Sequence, residues 1–392
     1  MILRKRRRKE LDIMLLYLLL FVYGGVNGNT VVNPNIASQF LSTDTSQFNH
    51  ITLDVRTGNI YAGAVNRLYQ LNSDLKLLQE VRTGPKLDSP LCHASGCGSP
   101  DIPKVPTDNY NKILLVNPSL ETLIVCGSVL QGSCDIYPLA NISLPSKFIP
   151  RSIAANDPKA TSFAFIGKEH YNKWETTDVM YVATTFTTNG DYRHDVPAIT
   201  TRRLQDLKLA ENSFSKQSLL RVDVKYRDNF LVNYIYGFNT TDFAYFVTVQ
   251  KKNYLPGQEE AGYVSRLVRT CVSDANYNSY TEITLECNSP GGTEYNLVQD
   301  AQLVHAGKEL ARNLGVEEGD LVLVGVFSPS RGHTKEGQDR SAVCLYSLRE
   351  VEKKFNENIH MCFNGSMKYR NMGYISGPVL NGECPQAGVS RY

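Results

Sequence analysis

Long apolar stretches are scarce in this 392-residue sequence, and after Val22 none reaches the roughly 17–25 residues needed to cross a bilayer. The chain is therefore expected to be soluble once any N-terminal segment is removed. Catalytic signatures are missing as well. There is no P-loop, no GxGxxG, no HExxH and no GxSxG, and the seven histidines are scattered. That removes the usual warrants for nucleotide, dinucleotide, zinc-protease or serine-hydrolase chemistry, and no cofactor is implied. An excess of one charge sign is also lacking, with 41 Lys and Arg against 39 Asp and Glu.

The small positive balance sits at the start of the chain. Met1–Asp12 holds Arg4, Lys5, Arg6, Arg7, Arg8 and Lys9, and the apolar run Ile13–Val22 follows. Val26 and Gly28 then stand at −3 and −1 of a cleavage after Gly28, the layout of a secretory signal peptide over residues 1–28. An uncleaved anchor needs a longer apolar run. Cleavage would remove six basic and two acidic residues, leaving 35 and 37 and a formal charge of −2. No basic face remains to argue for nucleic acid.

A secreted chain changes the meaning of the nine cysteines, Cys92, Cys97, Cys126, Cys134, Cys271, Cys287, Cys344, Cys362 and Cys384, which read as disulfides with one left over. Sequons at Asn141, Asn239 and Asn364 read as glycosylated surface positions.

The stretch Cys126-Gly-Ser-Val-Leu-Gln-Gly-Ser-Cys134 sets the structural pattern. Apolar runs Lys112–Val116 and Thr122–Cys126 flank the turn Asn117-Pro-Ser119, and Cys134–Leu139 gives a third run. The two cysteines would staple the second strand to the third, worth about 2–3 kcal/mol of unfolded-chain entropy. Similar runs recur before it (Ile51–Val55, Ile60–Ala64, Arg67–Leu71, Leu77–Arg82) and after it. The second group is expected to close near Ser152–Ala155. A third comprises Thr161–Gly167, Val179–Phe186, Pro197–Arg203 and Leu219–Lys225. A fourth comprises Phe230–Gly237, Phe243–Gln250, Tyr263–Cys271 and Tyr280–Leu285. Leu297–Val304, Leu321–Phe327 and Ala342–Leu348 begin a fifth.

Several runs, such as Phe243–Val249, are apolar on both faces, as in a sheet held between other sheets. Four-strand groups every ~59 residues, against ~40–50 for common repeats, then predict an all-β propeller with long loops. A β-sandwich ranks second because it buries one face per strand. One amphipathic helix is expected, with Leu348, Val351, Phe355 and Ile359 on its apolar face.

Two arrangements of residues suggest chemistry, and neither is complete. Cys92-His93 near Cys97 lacks the further ligands of a zinc site, and a small bridge pinning a surface loop fits better. His194 between Asp191 and Asp195 could be drawn as a base, yet no nucleophile accompanies it. The chain is not expected to be an enzyme.

The motifs Thr57–Leu71 (with AVNRLYQL), Asp108–Leu115, Cys126–Cys134, Tyr295–Ala301 and Ser341–Leu345 resemble the sema domain of plexins, the cell-surface receptors for semaphorins. Val129, Gln131, Ala154–Pro158 and Pro197–Arg202 look closer to the B-type than the A-type of that family. The resemblance implies a sema-type seven-bladed propeller over residues 29–392, truncated within or just after the extrusion of the fifth blade, so that about five blades are present. It implies the pairs Cys92–Cys97, Cys126–Cys134, Cys287–Cys344 and Cys362–Cys384. Cys271 would then find its partner beyond Tyr392, the alternative being an intermolecular bridge.

The function implied is semaphorin binding at the cell surface, edge-on between two propellers, by a chain without membrane span or GTPase-activating region. Asn189, Asp191, Tyr192, Arg193 and His194 in the Thr187–Val196 loop, with Phe214, Arg227 and Phe230, are the candidate contacts. The plain alternative makes Phe214 and Phe230 blade core. The alternative function is a secreted adhesion or decoy propeller acting through homophilic contact. A five-blade chain would expose sheet faces and an edge that invite aggregation. It is therefore expected to secrete poorly beside a chain extended by two blades; equal yields and equally sharp melting would count against this.

Overall fold

The computed structural model describes residues 38–42, 47–170, 176–212, 216–376 and 383–384. The expected leader, residues 1–28, and Phe214 lie outside the described residues.

Five antiparallel sheets succeed one another along the chain. The first holds β1 (Phe48–Leu53), β2 (Ile60–Ala64), β3 (Arg67–Leu71) and β4 (Leu77–Arg82). A small hairpin, β5 (Lys86–Asp88) with β6 (Val105–Thr107), then carries the Cys92–Cys97 loop. The second sheet is β7 (Asn111–Asn117), β8 (Thr122–Gly127), β9 (Cys134–Pro138) and β10 (Lys147–Ile149). The third opens with β11 (Ser162–His170), β12 (Thr176–Thr184) and β13 (Ile199–Arg203). A two-strand excursion follows, β14 (Glu211–Asn212) with β15 (Lys216–Gln217), before the third sheet resumes with β16 (Leu219–Val222). The fourth is β17 (Asn233–Asn239), β18 (Phe243–Lys251), β19 (Tyr263–Cys271) and β20 (Thr281–Thr284). The fifth is β21 (Leu297–His305), β22 (Leu321–Ser328) and β23 (Ala342–Ser347), with helix α1 (Lys308–Leu314) between its first two strands.

The leading strands β1, β7, β11, β17 and β21 touch one another in sequence, so the five sheets are blades set around a common axis. This is the propeller arrangement, and it explains the two-faced apolar runs. In β18, Ala244 and Phe246 enter the core shared with the third blade, while Tyr245, Val247 and Val249 enter the one shared with the fifth. In β12, Val179, Tyr181 and Ala183 face the fourth blade, and Met180 and Val182 face the second. A strand's alternation here separates one apolar core from another, with no solvent face.

Helix α2 (Leu348–Phe363) covers the seam between the fourth and fifth blades, burying Leu348, Val351 and Phe355. The Arg269 guanidinium lies 4.2 Å from the Phe243 ring centre and 4.5 Å from that of Phe355, and it pairs with Glu352. The chain then turns back. Strand β24 (Ile375–Ser376) joins the outer edge of the third blade through Arg221↔Ser376 and Val222↔Ile375. Met372 and Tyr374 enter the core between the third and fourth blades, and the Tyr374 hydroxyl bonds Glu282. Among the described residues no helix is long and apolar enough to cross a membrane.

Ser152–Ala155 departs from expectation. The fourth strand of the second blade is Lys147–Ile149, and Ser152–Ala155 is an irregular segment. Its Ile153 and Ala154 amides donate to the Gly132 carbonyl, so its backbone is satisfied by the staple instead of a ladder.

The blade cores are rich in tyrosine. Burial pushes the Tyr137 phenol up to about 12. Burial raises Tyr181, Tyr234 and Tyr277 further, and it raises Tyr280 and Tyr374 too, with the Glu282 carboxylate adding to both. In an unfolded chain these phenols would ionise near pH 10. Their stabilising contribution is therefore complete below pH 10 and is lost as pH rises beyond it. Alkaline titration should show two stages of tyrosinate absorbance, one from exposed tyrosines such as Tyr369 without loss of structure, and one from the buried phenols coincident with loss of β-sheet ellipticity above pH 10. Full tyrosinate absorbance reached while the ellipticity is still native would contradict the burial.

Candidate partner-binding face

The Thr187–Val196 loop is a folded element, with a 3₁₀ turn over Asp191–Asp195. What holds it is Arg193, which is only 1% exposed. Its Nε donates to Thr187 Oγ1 (3.1 Å), Nη1 to the Gln131 carbonyl (2.9 Å) and Nη2 to the Ala154 carbonyl (3.1 Å). Burial lowers its pKa to about 10, which still leaves it charged at neutral pH. Expected from its type and position among the contacts, Arg193 is instead the internal brace of the loop. Its signal was invisible locally, because the acceptors come from chain segments 39 and 62 residues away.

Those acceptors exist because of the staple. Leu130, Gln131 and Gly132 all have positive φ (51°, 61° and 77°). Two of them are not glycine, a conformation that persists only where the surroundings over-determine it. The disulfide Cys126–Cys134 closes the turn. Asp88 Oδ2 accepts from the Leu130 amide at 2.8 Å, and Gln131 Nε2 donates to the Pro90 carbonyl at 3.0 Å. Gly132 has no alternative, since a Cβ there would sit 1.9 Å from the Ala154 oxygen. Asn156 completes the frame. Its Nδ2 donates to Gln131 Oε1 (2.9 Å) and to the Asn189 carbonyl (2.7 Å), and Thr187 Oγ1 donates to Asn156 Oδ1 (2.5 Å).

The brace points inward and leaves its neighbours outside. Asp191 and His194 are exposed, and Tyr192 is 39% exposed with its ring edge-on to His93 at 5.1 Å. Asn189 is exposed too, although its Nδ2 donates to the Asn156 carbonyl. Arg227 joins the same face. Its guanidinium donates to the His194 carbonyl (2.9 Å), meets His194 Nδ1 (2.7 Å) and covers the Phe186 ring at 5.1 Å. That contact requires His194 to accept at Nδ1, because a guanidinium can only donate. Phe230 is among the residues lining the cavity beside His194 and Arg227, yet it offers a partner almost no surface. It is 2% exposed, its ring centre lies 4.4 Å from that of Tyr374, and it fills the core between the third and fourth blades.

The turn stands between two cavities that share Val196 and Arg221. One, of about 410 Å³, is lined by Phe186, His194 and Arg227; the other, of about 360 Å³, by Tyr192 and His93. Among the described residues no group of three or more His, Cys, Asp or Glu could hold a metal. His194 has no nucleophile beside it among the contacts described.

Cys92 is joined to Cys97, Cys126 to Cys134, Cys287 to Cys344 and Cys362 to Cys384, while Cys271 is free. Of the sequon asparagines, Asn364 is exposed, and Asn141 and Asn239 are half-buried.

Residues 298–390, the fifth blade and the segment after it, match the family model for the Sema domain. Mouse (Mus musculus) Plexin-A4 is 32% identical over 336 residues, covering 81% of this chain and 17% of that protein. Plexin-A3 of Rattus norvegicus is 29% identical over 392 residues, covering 95% and 20%. The solved extracellular region of Plexin A4 superposes with a TM-score of 0.72 at 30% identity, over 88% of this chain and 35% of that one. The blades are sema-type, and their relatives are plexins. The same fold appears in Drosophila Semaphorin 1a, with a TM-score of 0.53 at 18% identity over 79% of this chain and 55% of that one. The chain spans about a fifth of the length of the curated plexins it matches.

Because Arg193 supplies a fork of donors and not merely a charge, lysine cannot replace it. Arg193→Lys should leave a buried carbonyl unpaired, cost about 2 kcal/mol and lower the melting temperature measured by differential scanning fluorimetry. Tyr192→Ser should leave it unchanged. An unaltered melting temperature for Arg193→Lys would show that the brace is dispensable.

Proposed function

We propose that this chain is a semaphorin-binding region of a plexin-type cell-surface receptor, delivered through the secretory pathway by a leader at residues 1–28. The observation that carries the reading is the sema-type propeller related to plexins over 81% of the chain, bearing a braced turn that lifts Asp191 and Tyr192 into solvent. A binding surface gains affinity when its loops are fixed beforehand, and the Arg193 brace supplies that order. Tyr192 and Arg227 are residue types that dominate interfaces. Asn189 and His194 flank them, and recognition by such an edge needs no central cavity or cofactor.

The family resemblance of Val129, Gln131 and the Ala154–Pro158 stretch suggested a B-type plexin. The relatives named above are A-type, which lends no support to that assignment, and the reading kept here is a plexin without a subtype. Asn364, exposed beyond α2, is the sequon we expect to carry glycan most fully, with Asn141 and Asn239 also modified.

Combining Asp191→Asn with Tyr192→Ser should weaken binding to an immobilised semaphorin ectodomain at least tenfold in surface plasmon resonance, with secretion unchanged. An unaltered affinity removes the turn from the contact surface. Size-exclusion chromatography with and without semaphorin separates this reading from homophilic association, which would shift the chain without any ligand.

A further inference from the structure

The side-chain amide of Asn189 can be lost to water chemistry without an enzyme, and the structure gives that amide a task. Asn189 and Asn156 form a reciprocal pair. Asn189 Nδ2 donates to the Asn156 carbonyl at 3.0 Å, and Asn156 Nδ2 donates to the Asn189 carbonyl at 2.7 Å. Thr187 Oγ1 donates to Asn156 Oδ1 and accepts from Arg193 Nε, so the pair ties the exposed arm of the turn to the frame of its buried brace. The next residue is Gly190. A succinimide forms when the following backbone nitrogen reaches the asparagine Cγ, and a Cβ on that residue hinders the approach; glycine has none. No other residue fits here, since a Cβ on Gly190, at φ 101°, would lie 2.1 Å from the Pro90 carbonyl oxygen. Asn189 is exposed, which admits the water that the reaction consumes. Three further Asn-Gly pairs begin at Asn27, Asn364 and Asn381. The first belongs to the expected leader, the second to a sequon, and the third lies outside the described residues.

We propose that Asn189–Gly190 is a site of spontaneous deamidation, and that the reaction unlatches the braced turn from the Asn156 frame. The Gly190 nitrogen attacks Asn189 Cγ, its proton passes through water to Nδ2, and Nδ2 leaves as ammonia. Water then opens the succinimide to aspartate or isoaspartate, with no oxidant or cofactor involved. The product carboxylate has no hydrogen to donate at neutral pH. It sets an anionic oxygen against the Asn156 carbonyl where a hydrogen bond stood, and isoaspartate also lengthens the backbone of the turn by one carbon. In the intact turn the Gly190 amide is engaged with the Thr188 carbonyl at 2.9 Å. Attack therefore requires the turn to open locally, and the Arg193 brace sets how often it does.

The inference concerns the turn itself and is tested without semaphorin. The full glycosylated chain is held at body temperature and mildly alkaline pH for several weeks, then mapped by mass spectrometry with fragmentation that distinguishes isoaspartate. Product at Asn189 should accumulate at least tenfold faster than at Asn229, which is exposed but precedes Phe230. Arg193→Lys should raise the rate at Asn189 at least threefold and leave Asn229 unchanged. Asn189→Asp stands for one product and should lower hydrogen-exchange protection of the Asp191–Asp195 amides at least tenfold, with the blade strands still protected. Thr188→Asp, which adds the same charge one residue away at an exposed position, should not. Deamidation at Asn189 no faster than at Asn229, a rate indifferent to Arg193→Lys, or unchanged protection in Asn189→Asp overturns the proposal.

Discussion

Everything in this architecture depends on strands that are dry on both faces. Along β18 or β12 neighbouring residues serve separate cores, so each blade is a partition between two hydrophobic compartments. Such a strand has no polar side on which to place a charge, and register must be held against two neighbours at once. The consequence is rigidity in the blade centres and freedom at the rims. Chemistry and recognition are left to the connections between strands, where backbone and side chains can meet water.

The rim is not loose where it matters. The staple turn at Leu130–Gly132 adopts a left-handed backbone that no local preference favours. It is held by a disulfide, by Asp88 and by the segment around Ala154 and Asn156. In return it presents the Gln131 carbonyl to Arg193. A feature of the second blade thus fixes a loop of the third, and both cavities beside Asp191–Val196 inherit their shape from it. The staple is structural, yet it acts on the candidate binding face at one remove.

The inner strands were legible in the sequence because two-sided burial writes a largely apolar run, and Ile60–Ala64, Arg67–Leu71 and Tyr263–Cys271 have the bounds their sequence suggests; Leu77–Arg82 does too, although it is an exposed edge strand. Ser152–Ala155 differs from its expectation because Ile153 and Ala154 enter the core between the second and third blades as a strand's residues would, while their amides bond the Gly132 carbonyl and not a neighbouring strand. The sequence left Arg193 and Phe230 undecided between contact and interior for one reason. Their types suit either an interface or an interior, and the groups that decide between these, Gln131, Ala154 and Tyr374, are remote in sequence. Helix α1 left little trace: seven residues give hardly two turns of periodicity, and its cap comes from Gly315 in the left-handed region.

The return of Tyr374–Ser376 to the third blade has a consequence in time. The hydrogen bond from Ser376 to the Arg221 carbonyl joins residues 155 positions apart. At ribosomal rates of ~5–20 residues per second, that separation amounts to roughly 8–30 s of synthesis. During the interval the outer edge of β16 is unpaired and the Phe230 pocket lacks Tyr374. The third blade, which carries the braced turn, therefore matures later than its place in the chain suggests, and its open edge is the one most exposed to mispairing with other nascent chains.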